Sequence, residues 1–357
     1  MPKTATRDDV LGGRARWSCD VGDALEWLAA LPDRCVSMHM TSPPYEAQRT
    51  YGVGFTRRGQ EWVDWFRPIV REMCRTSAGL VFINMASPVV DWSYTAAVEW
   101  LVADLTRLDG LVCGPRPYAW VKSVNHEDAD GNGTPGSGSG HYQRSDWEPV
   151  YSFTLPDRLP GKKRNPDFWS DNTAFGHPPK FGPGGEPSHR DTNGVRANDS
   201  WGKRGRGNNL GGRSAEGEKK LGTRANPPGP SRRANGKKKL TQRDTHSGGE
   251  MREFNYAPPV LSNAGNVIRQ PVGGGKLGHP LAHKGEAPMA LGVAERFIAW
   301  FAAPDSIVGD PFAGTGTTAQ AAIELGRRFI GADIRQSQVE LTARRLSTVT
   351  PPLFAKE

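Results

Sequence analysis

The sequence predicts an α/β protein built on a doubly wound, mainly parallel sheet with a long loop-rich insertion. Three observations carry this. Short apolar runs of strand length alternate with amphipathic stretches of helical period. A glycine-rich turn joins one such strand to a helix. Both kinds of segment flank a block rich in Gly, Pro, Lys and Arg, an order that one domain carrying an insertion explains better than two independent domains.

Residues 17–45 read as strand, helix, strand. Asp23-Ala24-Leu25-Glu26-Trp27-Leu28-Ala29-Ala30-Leu31 spaces its apolar side chains for a helix, and Pro32-Asp33 ends it. The following run Cys35-Val36-Ser37-Met38-His39-Met40 delivers Ser42 to the C-terminal end of a strand, the edge at which open parallel sheets bind ligands. Residues 61–75 form a helix with Trp62, Trp65, Phe66, Ile69, Val70 and Met73 largely on one face, followed by a strand at 79–84. A further helix is expected at 89–108. Strands at 118–122 and 148–153 are separated by a flexible Gly-rich loop at 131–140. From 156 to 258 periodicity disappears and no regular structure is assigned. Order returns with a helix at 290–301, a strand at 306–310, the glycine turn, a helix at 317–325 and a strand at 329–333.

Composition narrows the function. Of 357 residues only 36% are hydrophobic, and 43 Gly with 29 Pro concentrate loop character in the insertion. Residues 156–258 hold 21 Lys and Arg against 11 Asp and Glu, so this block carries +10 of an overall +8 and the remainder is −2. Such a block suits a polyanion such as DNA, or serves as a solvated linker; charge alone leaves both readings open. Cys19, Cys35, Cys74 and Cys113 show no C-x-x-C spacing, so neither a disulfide framework nor a metal site is indicated, and a reducing cytoplasm is the expected compartment. No run approaches the ~18 apolar residues of a membrane span, so no membrane partner is expected.

Asp310-Pro311-Phe312-Ala313-Gly314-Thr315-Gly316-Thr317-Thr318 leaves a strand and opens a helix, which lets backbone approach a ligand at a helix N-terminus. Asp333, at the end of the next strand, can accept hydrogen bonds from ribose hydroxyls. The pattern alone does not separate a nicotinamide dinucleotide from S-adenosylmethionine. Asp310 offers a carboxylate to a cationic amino-acid moiety and Phe312 an apolar face to adenine or a methionine chain, neither of which a pyrophosphate requires.

Thr41-Ser42-Pro43-Pro44-Tyr45 would in isolation be a proline turn. Chemically it suits an exocyclic base amine, whose lone pair is delocalised into the ring and must be localised before it can attack. The Ser42 hydroxyl and the Pro43 carbonyl are two acceptors for the amine hydrogens, and Tyr45 a stacking face for a base swung out of the duplex.

Taken with Gly22-Asp23, Arg49-Thr50-Tyr51-Gly52, Tyr118-Ala119-Trp120-Val121-Lys122, Glu148-Pro149-Val150-Tyr151-Ser152-Phe153 and His279-Pro280, these motifs make the chain resemble the bacterial DNA amino-methyltransferases of the permuted beta class. Their shared order outweighs any single motif. The resemblance implies a circularly permuted Rossmann-like methyltransferase sheet that begins near its third strand. Its parts would be a catalytic half at 14–155, a target-recognition insertion at 156–258 and a cofactor half at 259–348. It implies S-adenosyl-L-methionine as methyl donor, with Asp23 at the adenine, Asp333 at the ribose and residues 310–318 at the methionine part, and Thr41 among the cofactor-binding residues. Ser42, Pro43, Pro44 and Tyr45 would hold the target base. Ser at the head of the tetrapeptide mostly accompanies transfer to cytosine N4 in that family, whereas Asp or Asn accompanies adenine N6. Double-stranded DNA is the implied substrate, and a cognate restriction endonuclease an associated partner. His283, Lys284 and Glu286 follow His279-Pro280 where the family has an aromatic-Pro stretch, and are either further contacts to the methionine end or plain loop residues. Outside the resemblance stand an NAD-dependent oxidoreductase, on the glycine turn alone, and a non-catalytic nucleic-acid-binding protein.

Overall fold

The computed structural model describes residues 5–46, 51–90, 93–122, 147–161, 165–166, 168–176, 239–243, 251–255, 261, 264–272, 277–285 and 287–349. These belong to two compact units, Met1–Ala174 with Gly265–Glu357, and Phe175–Ala264.

In chain order the larger unit runs α1 (Arg7–Leu11), β1 (Trp17–Val21), α2 (Ala24–Ala29), β2 (Met38–Thr41), α3 (Gly59–Thr76), β3 (Val81–Asn84), β4 (Val89–Val90), β5 (Ser93–Tyr94), α4 (Ala97–Arg107), β6 (Val112–Cys113), β7 (Tyr118–Val121) and β8 (Trp147–Thr154). The smaller unit contributes β9 (Lys239–Arg243) and β10 (Met251–Asn255). The larger unit then resumes with β11 (Val267–Arg269), α5 (Leu291–Phe301), β12 (Ile307–Asp310), α6 (Thr317–Glu324), β13 (Arg328–Asp333) and α7 (Gln336–Leu346). No described helix is long and apolar enough to cross a membrane.

The sheet order is β1-β13-β12-β2-β3-β8-β7-β11, with β6 beside β8. Among the described strands of this sheet only β8 runs against the others. The C-terminal strands β12 and β13 therefore sit between β1 and β2, and the four strand ends that carry Asp333, Asp310, Ser42 and Asn84 lie side by side at one edge.

Both faces are covered, and β3 shows why its sequence is a continuous apolar run. Val81 and Ile83 join the core formed with Trp62, Phe66, Ile69 and Val70 of α3 and Leu101 of α4. Phe82 points the other way, its ring 4.7 Å from those of both Phe297 and Phe301 on α5. β2 and β12 are likewise buried along their whole length.

Several expectations change. The helix expected at 89–108 begins only at Ala97. Before it, β4 and β5 form a short hairpin that Thr95 N closes onto the Pro88 carbonyl at 3.2 Å. Pro88 and the β-branched Val89-Val90 favour extended backbone, and Ala96 turns the chain at φ +58°. The described residues among 156–174, a stretch read with the insertion, belong to the larger unit. Buried Arg158 there donates to the carbonyls of Cys74 and Arg75 at 2.6 and 2.7 Å, closing the C-terminal end of α3. Within the insertion β9 and β10 pair antiparallel, Lys239 opposite Asn255, where no regular structure was expected. The insertion's sequence holds basic runs at 162–164, 203–206, 232–233 and 237–239 interspersed with aromatics such as Phe181 and Trp201; except for Lys239, these and the loop at 131–140 lie outside the described residues.

Candidate active site

Residues 310–318 are shaped by two glycines at positive φ, Gly314 (+52°) and Gly316 (+81°). At Gly316 a Cβ would also lie 2.8 Å from Thr342 Oγ1. That hydroxyl donates to the Gly314 carbonyl at 3.0 Å, so α7 holds the turn from behind. Arg345, one helical turn further on and fully buried, donates to the Thr315 carbonyl (3.0 Å), Thr317 Oγ1 (3.2 Å), Gln320 Oε1 (2.5 Å) and the Leu277 carbonyl (2.9 Å). Burial pulls its guanidinium down to about 10. The sequence reading missed this residue; a charge amid the apolar positions of a C-terminal helix was its only local signal.

Asp310, buried at the end of β12, accepts from Thr41 Oγ1 at 2.6 Å and from Phe312 N at 3.0 Å through one oxygen. Burial raises its carboxyl to about 6, with the Asp333 charge adding and the hydrogen bonds opposing. Asp333 Oδ2 accepts from Gly314 N at 3.0 Å and Oδ1 from Arg335 N at 2.9 Å. Each oxygen still has a lone pair for another donor. Asp23 caps α2, accepting from Leu25 N and Glu26 N at 2.8 and 3.2 Å.

Beyond β2, Ser42 and Pro44 are half-buried and Pro43 and Tyr45 buried. Trp62 Nε1 on α3 donates to the Pro44 carbonyl at 2.9 Å, fixing the second proline. Tyr45 donates its hydroxyl to Glu148 Oε2 (3.1 Å) and accepts from Asn84 Nδ2 (2.9 Å). Burial, and next the Glu148 carboxylate, raise the phenol well above its ordinary range, while a hydrogen bond from the Ser42 hydroxyl opposes them.

A cleft of about 450 Å³ joins the two walls. Of the expected site residues, Asp23, Ser42, Pro44, Asp310, Pro311, Phe312, Ala313, Gly314, Thr315, Thr317, Thr318 and Asp333 line it. Thr41, Pro43, Tyr45 and Gly316 stand behind the wall, so Tyr45 presents no open stacking face in this arrangement. His283 and Lys284 are not on the wall, although Gly285 and Ala287 are; Glu286 lies outside the described residues. Tyr51, Phe55, Arg57 and Trp65, to which sequence reasoning assigned no site role, also line the cleft. There the Phe55 and Trp65 rings lie 4.9 Å apart, and Trp65 reaches Phe312 at 5.8 Å.

The strand ends of this largely parallel sheet gather a glycine turn, two carboxylates and a proline-bound serine around one cleft, at the edge where such sheets bind ligands. The chain belongs to the DNA methylase family N6_N4_Mtase, which it matches over residues 36–344. The methyl donor of that family is S-adenosyl-L-methionine. The solved PvuII DNA methyltransferase (cytosine-N4-specific) superposes with a TM-score of 0.53 at 16% identity, covering 93% of this chain and 86% of that one, which shows a common fold. Curated relatives align over short stretches. Type II methyltransferase M.HinfI of Haemophilus influenzae is 36% identical over 70 residues, 20% of this chain and 19% of that protein. DNA adenine methyltransferase YhdJ of Escherichia coli (strain K12) is 40% identical over 68 residues, 19% of this chain and 22% of that one. The chain thus aligns with about a fifth of the length of each.

Proposed function

We propose that this protein transfers a methyl group from S-adenosyl-L-methionine to the exocyclic N4 amine of cytosine in double-stranded DNA. The observation that carries the reading is the shared cleft, in which Ser42 and Pro44 on one wall face the same space as Asp310, Gly314 and Asp333 on the other.

The residues fit the methyl donor. Asp310 is a buried carboxylate whose hydrogen-bond partners, Thr41, Phe312 N–H and Thr318, are all neutral, with Asp333 as a neighbouring like charge. Such a site favours a cation. The same pair of carboxylates would repel a pyrophosphate, which argues against a nicotinamide dinucleotide. Asp310 would receive the amino-acid ammonium, Asp333 the ribose hydroxyls, and Phe312 would pack on the apolar parts. When bound, the donor supplies an electrophilic methyl on a sulfonium. Ser42 Oγ, an acceptor on the cleft wall, draws an amine hydrogen toward it and concentrates the nitrogen lone pair on the attacking side, while the Pro43 carbonyl expected as the second acceptor stands behind that wall in this arrangement. Direct attack needs no covalent base adduct.

Nucleosides from DNA of cells expressing the protein, analysed by mass spectrometry, test this. 4-Methylcytosine is the expected product, and unmodified DNA would reject the reading. The second reading, adenine N6, is favoured by the local identity with an adenine methyltransferase, and 6-methyladenine would establish it.

A further inference from the structure

Behind the tetrapeptide lies a polar cluster that the proposed reaction does not yet use. Glu148, the second residue of the reversed strand β8, is one-fifth exposed and pairs with Lys122 just past the end of β7. Its second oxygen, Oε2, accepts from Tyr45 (3.1 Å) and from Asn84 Nδ2 (3.1 Å). Asn84 is 2% exposed and its Nδ2 is shared between Tyr45 and Glu148, while its Oδ1 has no partner among the described residues. Turning the amide over would present Oδ1 to the Glu148 carboxylate. The buried amide thus leaves its acceptor unpaired among the described residues while its Nδ2 donates to both Tyr45 and Glu148.

The consequence reaches Ser42. Ser42 and Tyr45 are the two ends of one Ser-Pro-Pro-Tyr turn, so where the Tyr45 ring is held bears on where Ser42 stands, and the Tyr45 hydroxyl is held by Glu148 and Asn84. We propose that Glu148, held by Lys122, is a positioning residue. Through the Tyr45 hydroxyl it anchors the tetrapeptide, so that Ser42 Oγ stays on the cleft wall where the target amine would arrive. This gives Tyr45 a polar task through its hydroxyl and Glu148 one that no motif assigns; both rest on the methyl-transfer reading above.

A double-mutant cycle on the full chain tests it, with kcat and KM measured on duplex DNA and the Kd of S-adenosylmethionine measured separately. Glu148→Gln, which keeps size but lets the Asn84 amide turn over, should lower kcat at least tenfold and leave the cofactor Kd within twofold. Tyr45→Phe, which keeps the ring, should lower kcat to a similar degree. In the Tyr45→Phe background Glu148→Gln should then change kcat by less than twofold. Lys122→Met gives the same loss by a second route should Glu148→Gln fold poorly. An unchanged kcat in Glu148→Gln, or full additivity of the two substitutions, would overturn the inference while wild-type methylation stands. A wild-type protein that methylates no base would remove the underlying reading instead.

Discussion

The two walls of the cleft are built differently. The wall at 310–318 is local: two glycines at positive φ, a carboxylate at a strand end, and a helix whose first turn faces the ligand space. The wall at Ser42 is assembled from distant parts of the chain, with Tyr45 bonded to Asn84 and Glu148, 39 and 103 residues away, and Pro44 pinned by Trp62 from α3. A local wall announces itself in sequence because its residue types are dictated by backbone geometry. A distributed wall shows only the residues that meet the substrate, and its supports become visible when the sheet brings them together.

The largest effect expected on the local wall is at Asp310. Asp310→Asn keeps an acceptor for Thr41 and Phe312 N–H but removes the charge, so the Kd for S-adenosylmethionine, measured by calorimetry, should rise at least about 100-fold. The same substitution removes a buried charge with no cationic partner. The melting temperature of the ligand-free protein should therefore hold or rise. A fall in both affinity and stability would mean that Asp310 is a structural support.

Ser42→Ala makes the complementary separation on the distributed wall. It should reduce kcat by roughly 10- to 100-fold through loss of one acceptor at the amine, with cofactor affinity within twofold. Unchanged methylation would remove Ser42 from the site.

The same contrast explains what was legible beforehand. β2, β3, β12 and β13 were readable because strands buried on both faces are continuous apolar runs. Asp310, Gly314 and Asp333 were readable because their spacing follows from a strand, a turn and the next strand. The hairpin at 89–94 was hidden because its valines extend the apolar periodicity of α4, and only Pro88 and the left-handed Ala96 mark the break. Arg345 was not selected at all, and Glu148 stood in a quoted motif with no role given to it. Each looks like an ordinary charged residue until the fold encloses it against carbonyls or a phenol from other elements.

Gly316→Ala tests how stiff the local wall is. A methyl group there meets Thr342 Oγ1 and Cγ2 at 2.8 and 2.9 Å at a φ of +81°, so strain and displacement of the Thr342 hydrogen bond act together. Stability should fall by about 2 kcal/mol in thermal unfolding. Gly314→Ala shares the positive φ but meets only the Phe312 carbonyl at 3.9 Å, and should cost about half as much. Equal losses would mean that the support from α7 contributes little.

The smallest effect is a pH dependence that belongs to one wall only. The Asp310 carboxyl is raised to about 6 from an ordinary 3.8, so the folded protein holds a proton there that the unfolded chain has already released. Its contribution to stability is therefore fully present below 3.8 and is lost as pH rises through about 6, the direction opposite to that of a salt-bridged carboxylate. A cation bound at Asp310 reverses the preference and stabilises the ionised form. Affinity for S-adenosylmethionine should be level above about pH 6.5 and fall up to tenfold per unit below 6, with proton release on binding in that range. Asp310→Asn should flatten this profile while Ser42→Ala leaves it intact. A profile that persists in Asp310→Asn would mean that Asp310 is not the titrating group.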